Sequence, residues 1–224
     1  DIDDSNGRPR TAYAIYHHQG ESLTPVDKDA ERAQVWADEH GVPGFCELGS
    51  ALESVEADAV IVCTPTSLHG DLAIEALQAG KHVVIEKPAD ITVDRIDEII
   101  VAQEAAGTFV TVISQHRFDP ATEKLSDAIA AGELGRLTSG IATIDLWRGQ
   151  SYYDSGAWRG TWAFDGGGAL MNQGVHTVDL LLALARSDEA FAKAKSLVAC
   201  HPDRPDFARR AIQTGYLANQ ADEV

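Results

Sequence analysis

The run GGGALMNQGVHTVDLLLALA, from Gly166 to Ala185, sets three polar side chains into an apolar helical pattern. Asn172, His176 and Asp179 follow at offsets of four and three residues, which at about 100° per residue puts them on one narrow stripe of a helix. Histidine titrates near neutral pH, so His176 could take the proton of a bound hydroxyl. Asn172 could orient that hydroxyl, and Asp179, one turn further on, could fix the imidazole tautomer. Gly166, Gly167 and Gly168 would let the backbone approach a ligand and leave amides free at the helix start. The alternative is a glycine turn followed by a core histidine with its hydrogen bonds satisfied. A metal site is disfavoured, because His176 and Asp179 offer two ligands and no third or fourth stands nearby.

Further chemistry-bearing residues sit where apolar runs end. The stretches CTPTSLH (Cys63 to His69), IEKP (Ile85 to Pro88) and SQHRFDP (Ser114 to Pro120) each follow a short apolar run. In an open parallel sheet, ligands gather beyond the carboxyl ends of the strands, and three successive polar exits suggest a shared rim. Pro88 sets the chain direction so as to aim Lys87 at a crevice, where a partly buried ammonium can hydrogen-bond a substrate oxygen and ease its proton loss. The alternative is a solvated surface lysine. For TPTSLH the choice lies between cofactor contacts and a Ser67 helix cap beside an exposed His69. Asp27 ends the run TPVD just before a helical pattern, the place where a dinucleotide fold sets an acid on the adenine ribose hydroxyls.

The elements that must position these residues alternate from Val26 onward. DKDAERAQVWADEHG predicts a helix capped by Asp29 and closed by Gly41; ADAVIVCTP predicts a strand buried on both faces; SLHGDLAIEALQAG is helical; KHVVIEKP is a strand stopped by Pro88. TVDRIDEIIVAQEAAG predicts a helix capped by Thr92, and TFVTVIS a strand. Strands separated by such helices imply βαβ units and a doubly wound parallel sheet. After Ser114 the pattern changes to a helix over DPATEKLSDAIAAGELG, a long alternating strand over RLTSGIATIDLW and a polar, aromatic loop, RGQSYYDSGAWRGTWAFDGGG. That change marks a second domain. We expect the first domain over 1–115 and the second over 116–224.

Composition narrows the partners. The 224 residues carry 18 Lys and Arg against 35 Asp and Glu, a net charge of −17, which argues against nucleic acid or an anionic membrane. The acidity is uneven: residues 1–185 hold 12 basic and 29 acidic side chains, residues 186–224 hold 6 of each. Three cysteines, Cys46, Cys63 and Cys200, make neither a disulfide framework nor a zinc site and point to a reducing cytoplasm. No apolar stretch approaches the roughly 20 residues of a membrane span.

DKDAERA, CTPTSLH, GKHVVIEKPAD, QHRFDP, AGELGRL, WRGTW and GGGALMNQGVHTVDLLLAL follow one another in an order and spacing that resembles the glucose-fructose oxidoreductase/inositol dehydrogenase/rhizopine catabolism family, over about Val26 to Ala185. The resemblance implies a Rossmann domain followed by an α+β domain with a broad antiparallel sheet, using NAD or NADP on sugars, cyclic polyols or nucleotide sugars. It implies that Lys87 and His176 are catalytic, with Asn172 at a position where many members have Asp. Asn172 orients a hydroxyl and cannot accept its proton, so proton transfer falls to His176 and Lys87. Thr64, Pro65, His69, Glu86, Pro88 and Gln115 resemble cofactor-side positions, and Trp158 with Arg159 resembles the loop that approaches the nicotinamide end. Asp27 favours NAD over NADP by repelling a 2′-phosphate. No metal is expected; a homo-oligomer is among the expectations.

Two departures accompany the resemblance. Asp1 to Pro25 shows no GxGxxG and no clear first strand, and the segment after Ala185 is short and charge-neutral where a further sheet is expected. The chain therefore reads as an incomplete member. An active NAD(P)-dependent dehydrogenase stands beside a second reading, a degenerate, non-catalytic member that binds a ligand or a partner subunit.

Overall fold

The computed structural model describes residues 13–17 and 22–185. The chain divides into two compact units, Asp1–Val110 with Thr161–Gly166 and Thr111–Gly160 with Gly167–Val224. Expectations placed on Cys200 and on the charge-neutral segment after Ala185 lie outside the described residues.

Five strands, β1 (Tyr13–His17), β2 (Ser22–Val26), β3 (Ala59–Val62), β4 (His82–Ile85) and β5 (Val110–Val112), form one sheet in the order β2-β1-β3-β4-β5. β3 and β4 run parallel, with Ala59 opposite His82 and Val62 opposite Ile85, as their apolar runs predict, but burial on both faces is not found: Val60, Val62, Val83 and Ile85 are buried, whereas Ala59, Ile61 and Val84 are half-buried and His82 is exposed. Strand β1 differs. It runs antiparallel to both neighbours, with Tyr13 opposite Val26 on one side and Val62 on the other. The cause is chain length: four residues separate His17 from Ser22, enough for a hairpin, whereas a parallel crossover needs a dozen or more. Sequence periodicity did not reveal this strand.

The helices follow their caps. α1 (Ala30–His40) starts at Asp29, whose side chain accepts from the Glu31 and Arg32 amides, and ends at Gly41 with φ 67°. α2 (Leu48–Ser54) precedes β3, and α3 (His69–Gln78) crosses to β4. α4 (Val93–Ala106) is capped by the Thr92 side chain and closed by Gly107 with φ 66°. Val60, Val62, Ala73, Ala76, Leu77 and Ile85 are each fully buried; they form the core between the sheet and α3.

The second unit holds α5 (Pro120–Ala130), α6 (Gln150–Asp154) and α7 (Val175–Ala185). The strand expected over RLTSGIATIDLW is not formed: residues 136–147 are irregular, with Ile141 91% and Trp147 88% exposed. An alternating segment becomes a strand only when a neighbour accepts its backbone hydrogen bonds, and among the described residues none pairs with it.

One close approach fixes the exit of β4 against α3. The Asp90 carboxylate, 3% exposed, accepts from the Gly70 amide at 2.9 Å and from the Ile91 amide at 2.6 Å, supplying an acid to the first turn of α3 from a residue 20 positions away. A Cβ on Gly70 would lie 2.7 Å from that carboxylate oxygen and 3.2 Å from the Arg95 guanidinium. Gly70→Ala is therefore expected to lower stability by about 1–3 kcal/mol, read as a shifted urea midpoint at unchanged m-value.

Candidate functional site

In the first unit the polar exits line the carboxyl rim of the sheet. Asp27 follows β2 and is 1% exposed. Its carboxylate accepts from the Asp29 amide at 2.9 Å and from both edges of the Arg32 fork, at 3.0 Å from Nε and 2.8 Å from Nη2. Three of its roughly four lone-pair sites are thus taken within the unit, and Arg32 brings a half-exposed guanidinium to the same spot. After β3, Pro65 opens a single 3₁₀ turn (Thr66–Leu68), and the buried Thr64 Oγ1 and Ser67 Oγ have no hydrogen-bond partner. The segment Thr161–Gly166 returns to this unit, where the Ser67 amide donates to the Phe164 carbonyl at 3.2 Å.

His69 is the brace of this rim. It is 1% exposed, with Nδ1 2.8 Å from the Pro88 carbonyl and Nε2 2.8 Å from the Thr64 carbonyl. The ring ties the turn after β3 to the turn after β4, so its expected exposure is not found and both nitrogens are engaged within the chain. A neutral ring can donate to one carbonyl only; the imidazolium would satisfy both. Burial opposes that charge more than the Thr64 and Pro88 carbonyls and the Asp90 and Glu86 carboxylates favour it, and the pKa falls below its ordinary 6.5.

Lys87 lies between the Glu86 carboxylate and Pro88 in a cis Lys87–Pro88 turn, and its own amide donates to Glu86 Oε2 at 3.0 Å. Cys63, at the end of the β3 run, has its thiol pushed up to about 11 by burial and by Glu86. It is therefore a neutral, unreactive group on the same rim.

The glycine-to-histidine run, whose Gly166 belongs to the first unit and whose remainder belongs to the second, is not one straight α-helix. Gly166 and Gly168 have φ of 77° and 64°, conformations that suit glycine. The Gly166 amide donates to the Thr161 carbonyl at 3.2 Å and the Gly167 amide lies 2.9 Å from Met171 Sδ. Two of the three amides expected to be free are therefore occupied. Leu170–Gly174 is a π-helical turn that leads into α7, so the 100° spacing of an α-helix does not hold through Asn172; such turns recur at functional sites. Asn172 Oδ1 accepts from the Gln173 amide side chain at 2.8 Å and from the Tyr152 hydroxyl at 3.4 Å.

Tyr152 also accepts from Arg159 Nη1 at 3.1 Å, and the Arg159 guanidinium lies 4.7 Å from the ring centres of both Tyr152 and Trp158. Nearby in sequence, Gln115 opens a second 3₁₀ turn (Gln115–Phe118) and is exposed. His116 Nδ1 pairs with Asp119 at 2.8 Å, and its ring meets the His176 ring edge-on at 4.7 Å. Asp179 does not serve His176 as anticipated: both its oxygens are taken by the Arg117 fork, with Nε at 2.8 Å. Arg117, Tyr152 and Arg148 escaped the sequence reading; the Arg-Phe-Asp and Trp-Arg-Gly stretches were the available signals.

The residues present fit a nicotinamide dinucleotide in part. Two buried hydroxyls without partners and the Asp27–Arg32 pair stand at strand exits, as its ribose ends require. A glycine-rich cradle for the pyrophosphate is not found among the described residues. Among those residues no cluster of three or more His, Cys, Asp or Glu could hold a metal ion, and no helix is long and apolar enough to cross a membrane.

Comparisons with known proteins give the family and the fold. An oxidoreductase family model with an NAD-binding Rossmann fold, GFO_IDH_MocA, matches residues 6–114, and a GFO/IDH/MocA C-terminal domain model matches residues 122–214. The chain is 31% identical over 190 residues to 1,5-anhydro-D-fructose reductase of Ensifer adhaerens, covering 82% of this chain and 54% of that protein. It is 36% identical over 106 residues to scyllo-inositol 2-dehydrogenase (NAD(+)) of Bacillus subtilis, covering 47% of this chain and 31% of that protein. The crystal structure of the WlbA dehydrogenase from Bordetella pertussis in complex with NADH and UDP-GlcNAcA is similar with a TM-score of 0.63 at 35% identity, over 71% of this chain and 48% of that chain. The chain spans about half the length of the curated relatives it matches.

The brace has a pH signature. Because the folded pKa of His69 lies below 6.5, its contribution to stability is complete above that pH. It is lost as pH falls through 6.5 towards the folded value, since the unfolded chain binds the proton first. Urea unfolding between about pH 7.5 and about pH 5.5 should show a smaller loss of stability in His69→Gln than in the wild type. An identical loss in both proteins would show that His69 does not titrate in this window.

Proposed function

The chain belongs to the Gfo/Idh/MocA oxidoreductase family, and from that premise we propose that it takes part in NAD(P)-dependent oxidation of a hydroxyl on a sugar, cyclic polyol or nucleotide sugar. A bound nicotinamide dinucleotide supplies the acceptor for the two electrons that leave the carbinol carbon as hydride. The residues of the chain handle the rest. Asp27, Thr64, Pro65, Glu86 and Pro88 hold the cofactor side of the rim, with His69 bracing the two turns, and Gln115, Trp158 and Arg159 complete that role. Asn172 orients the substrate hydroxyl, whose proton passes to His176 with Lys87 assisting, so that loss of hydride and proton leaves a carbonyl.

The observation that carries this reading is the pair of buried, partnerless hydroxyls on Thr64 and Ser67, at the strand exit where this fold binds its ligand. NAD is the preferred cofactor, because the Asp27 carboxylate opposes a 2′-phosphate, whereas the outward part of Arg32 would welcome one. We propose the division into a nucleotide-binding domain over 1–115 and a substrate or oligomerisation domain over 116–224, acting in the cytoplasm.

One observation favours the second reading. The four-residue link between β1 and β2 leaves no room for the glycine-rich turn and helix that normally follow the first strand. On that reading the chain binds a sugar or a partner subunit without turnover.

Titration with NADH and NADPH, followed by energy transfer from tryptophan, separates the two. NADH is expected to bind more tightly; tighter NADPH binding would move the ribose role from Asp27 to Arg32, and absence of both would favour the non-catalytic reading. Where turnover is measurable, Lys87→Ala and His176→Ala should each lower kcat by about 100-fold or more with NADH affinity nearly unchanged, and Asn172→Ala should cost less.

A further inference from the structure

The second unit contains two Trp-Arg-Gly tripeptides, Trp147–Gly149 and Trp158–Gly160, and both arginines converge on one tyrosine. The Arg148 guanidinium carbon lies 5.1 Å and that of Arg159 4.7 Å from the Tyr152 ring centre. Tyr152 in turn donates to Asn172, at the π-helical turn. We propose that Arg148 and Arg159 form an oxyanion subsite, so that the substrate handled beside Asn172 carries a carboxylate or a phosphate and Arg159 serves the substrate in place of the cofactor-side role given to it above. The proposal rests on the reading of this unit as the substrate side and names the substrate class.

Three observations carry it. Arg32, Arg95 and Arg117 each engage carboxylates, but among the described residues Arg148 and Arg159 meet none, in a chain with 35 acidic residues. Their Nε atoms are buried without an acceptor, so water does not satisfy them. Two cations held at one aromatic ring repel each other, and the arrangement lacks the counter-charge that a bidentate acceptor would bring. A planar guanidinium matches the paired oxygens of a carboxylate or phosphate, and a partly desolvated one binds them more strongly than an exposed one does. The hydroxyls of a neutral polyol can accept from the guanidinium donors but would leave the local positive charge unanswered.

Calorimetric titration of the chain with D-glucuronate, D-glucose 6-phosphate and D-glucose tests this. At least one of the two anionic sugars should bind ten-fold or more tightly than glucose; whichever does so identifies the carboxylate or the phosphate as the recognised group. Arg159→Met and Arg148→Met should each remove that preference while their urea midpoints show folded protein. Arg159→Lys, which keeps the charge but loses the fork, should retain only part of it. Equal affinity for all three sugars, no binding of any, or a preference that survives both methionine variants would overturn the subsite. NADH binding is read separately, so failure of the dehydrogenase reading would be visible as such and would leave these outcomes distinct.

Discussion

The rim of the first unit depends on a single buried imidazole. His69 stands at the first position of α3, and its two nitrogens reach the carbonyls of Thr64 and Pro88, one on each of two adjacent strand exits. The exit after β4 has no regular secondary structure to hold it, and the exit after β3 has a single 3₁₀ turn. The turn after β4 carries Glu86 and Lys87, and the turn after β3 carries the unpaired Thr64 and Ser67 hydroxyls, so the spacing between the two groups is set by the ring between them. Asp90 secures the same junction from below by capping α3 through Gly70. This explains why a helix with no cap of its own begins where it does, and why glycine occupies its second residue.

In the second unit the corresponding anchor is a buried ion pair. Arg117 and Asp179 are 8% and 11% exposed at their side chains, and their two-point contact fastens the turn over Gln115–Phe118 to α7. That contact brings His116 against His176. A carboxylate spent on an arginine is no longer available to fix a tautomer. His176 meets the His116 ring edge-on, which is a different arrangement from the carboxylate–imidazole couple that residue spacing suggested.

The parts legible in the sequence are those determined by local physics. Asp29, Thr92, Gly41 and Gly107 act as the caps their residue types announce, and the apolar runs over β3 and β4 formed parallel strands, with one face of each buried rather than both. What escaped depends on partners distant in sequence. The periodicity of residues 136–147 favours a strand, yet hydrogen bonds from a neighbour decide whether one forms. Tyr13–His17 paired because a hairpin brought β2 beside it. For His69 the sequence left open a cofactor contact and an exposed ring beside a helix cap but gave no sign of its buried bridge, since the carbonyl of Pro88, 19 residues on, is invisible to local spacing. The angular argument for Asn172, His176 and Asp179 assumed one uniform helix, and the π-helical turn over Leu170–Gly174 broke that assumption at its first member.

The direction of β1 has a consequence for how a dinucleotide could be held. In a doubly wound sheet, the first strand leaves the core at the carboxyl rim and turns there into a helix whose N-terminus faces the pyrophosphate. Here Tyr13 lies opposite Val26 and Val62, the last residues before Asp27 and Cys63, so the chain enters β1 at that rim and leaves it at the far end. Among the described residues the slot between β2 and β3 therefore offers the rim no helix N-terminus and no run of converging amides. The attraction available to a nucleotide comes instead from the flanking exits: Asp27 with Arg32 on one side, and the hydroxyls of Thr64 and Ser67 with the Glu86–Pro88 turn on the other. Such a rim recognises the sugar ends of the cofactor better than its phosphates. The affinity it reaches then depends on how firmly His69 keeps the two exits at their proper distance.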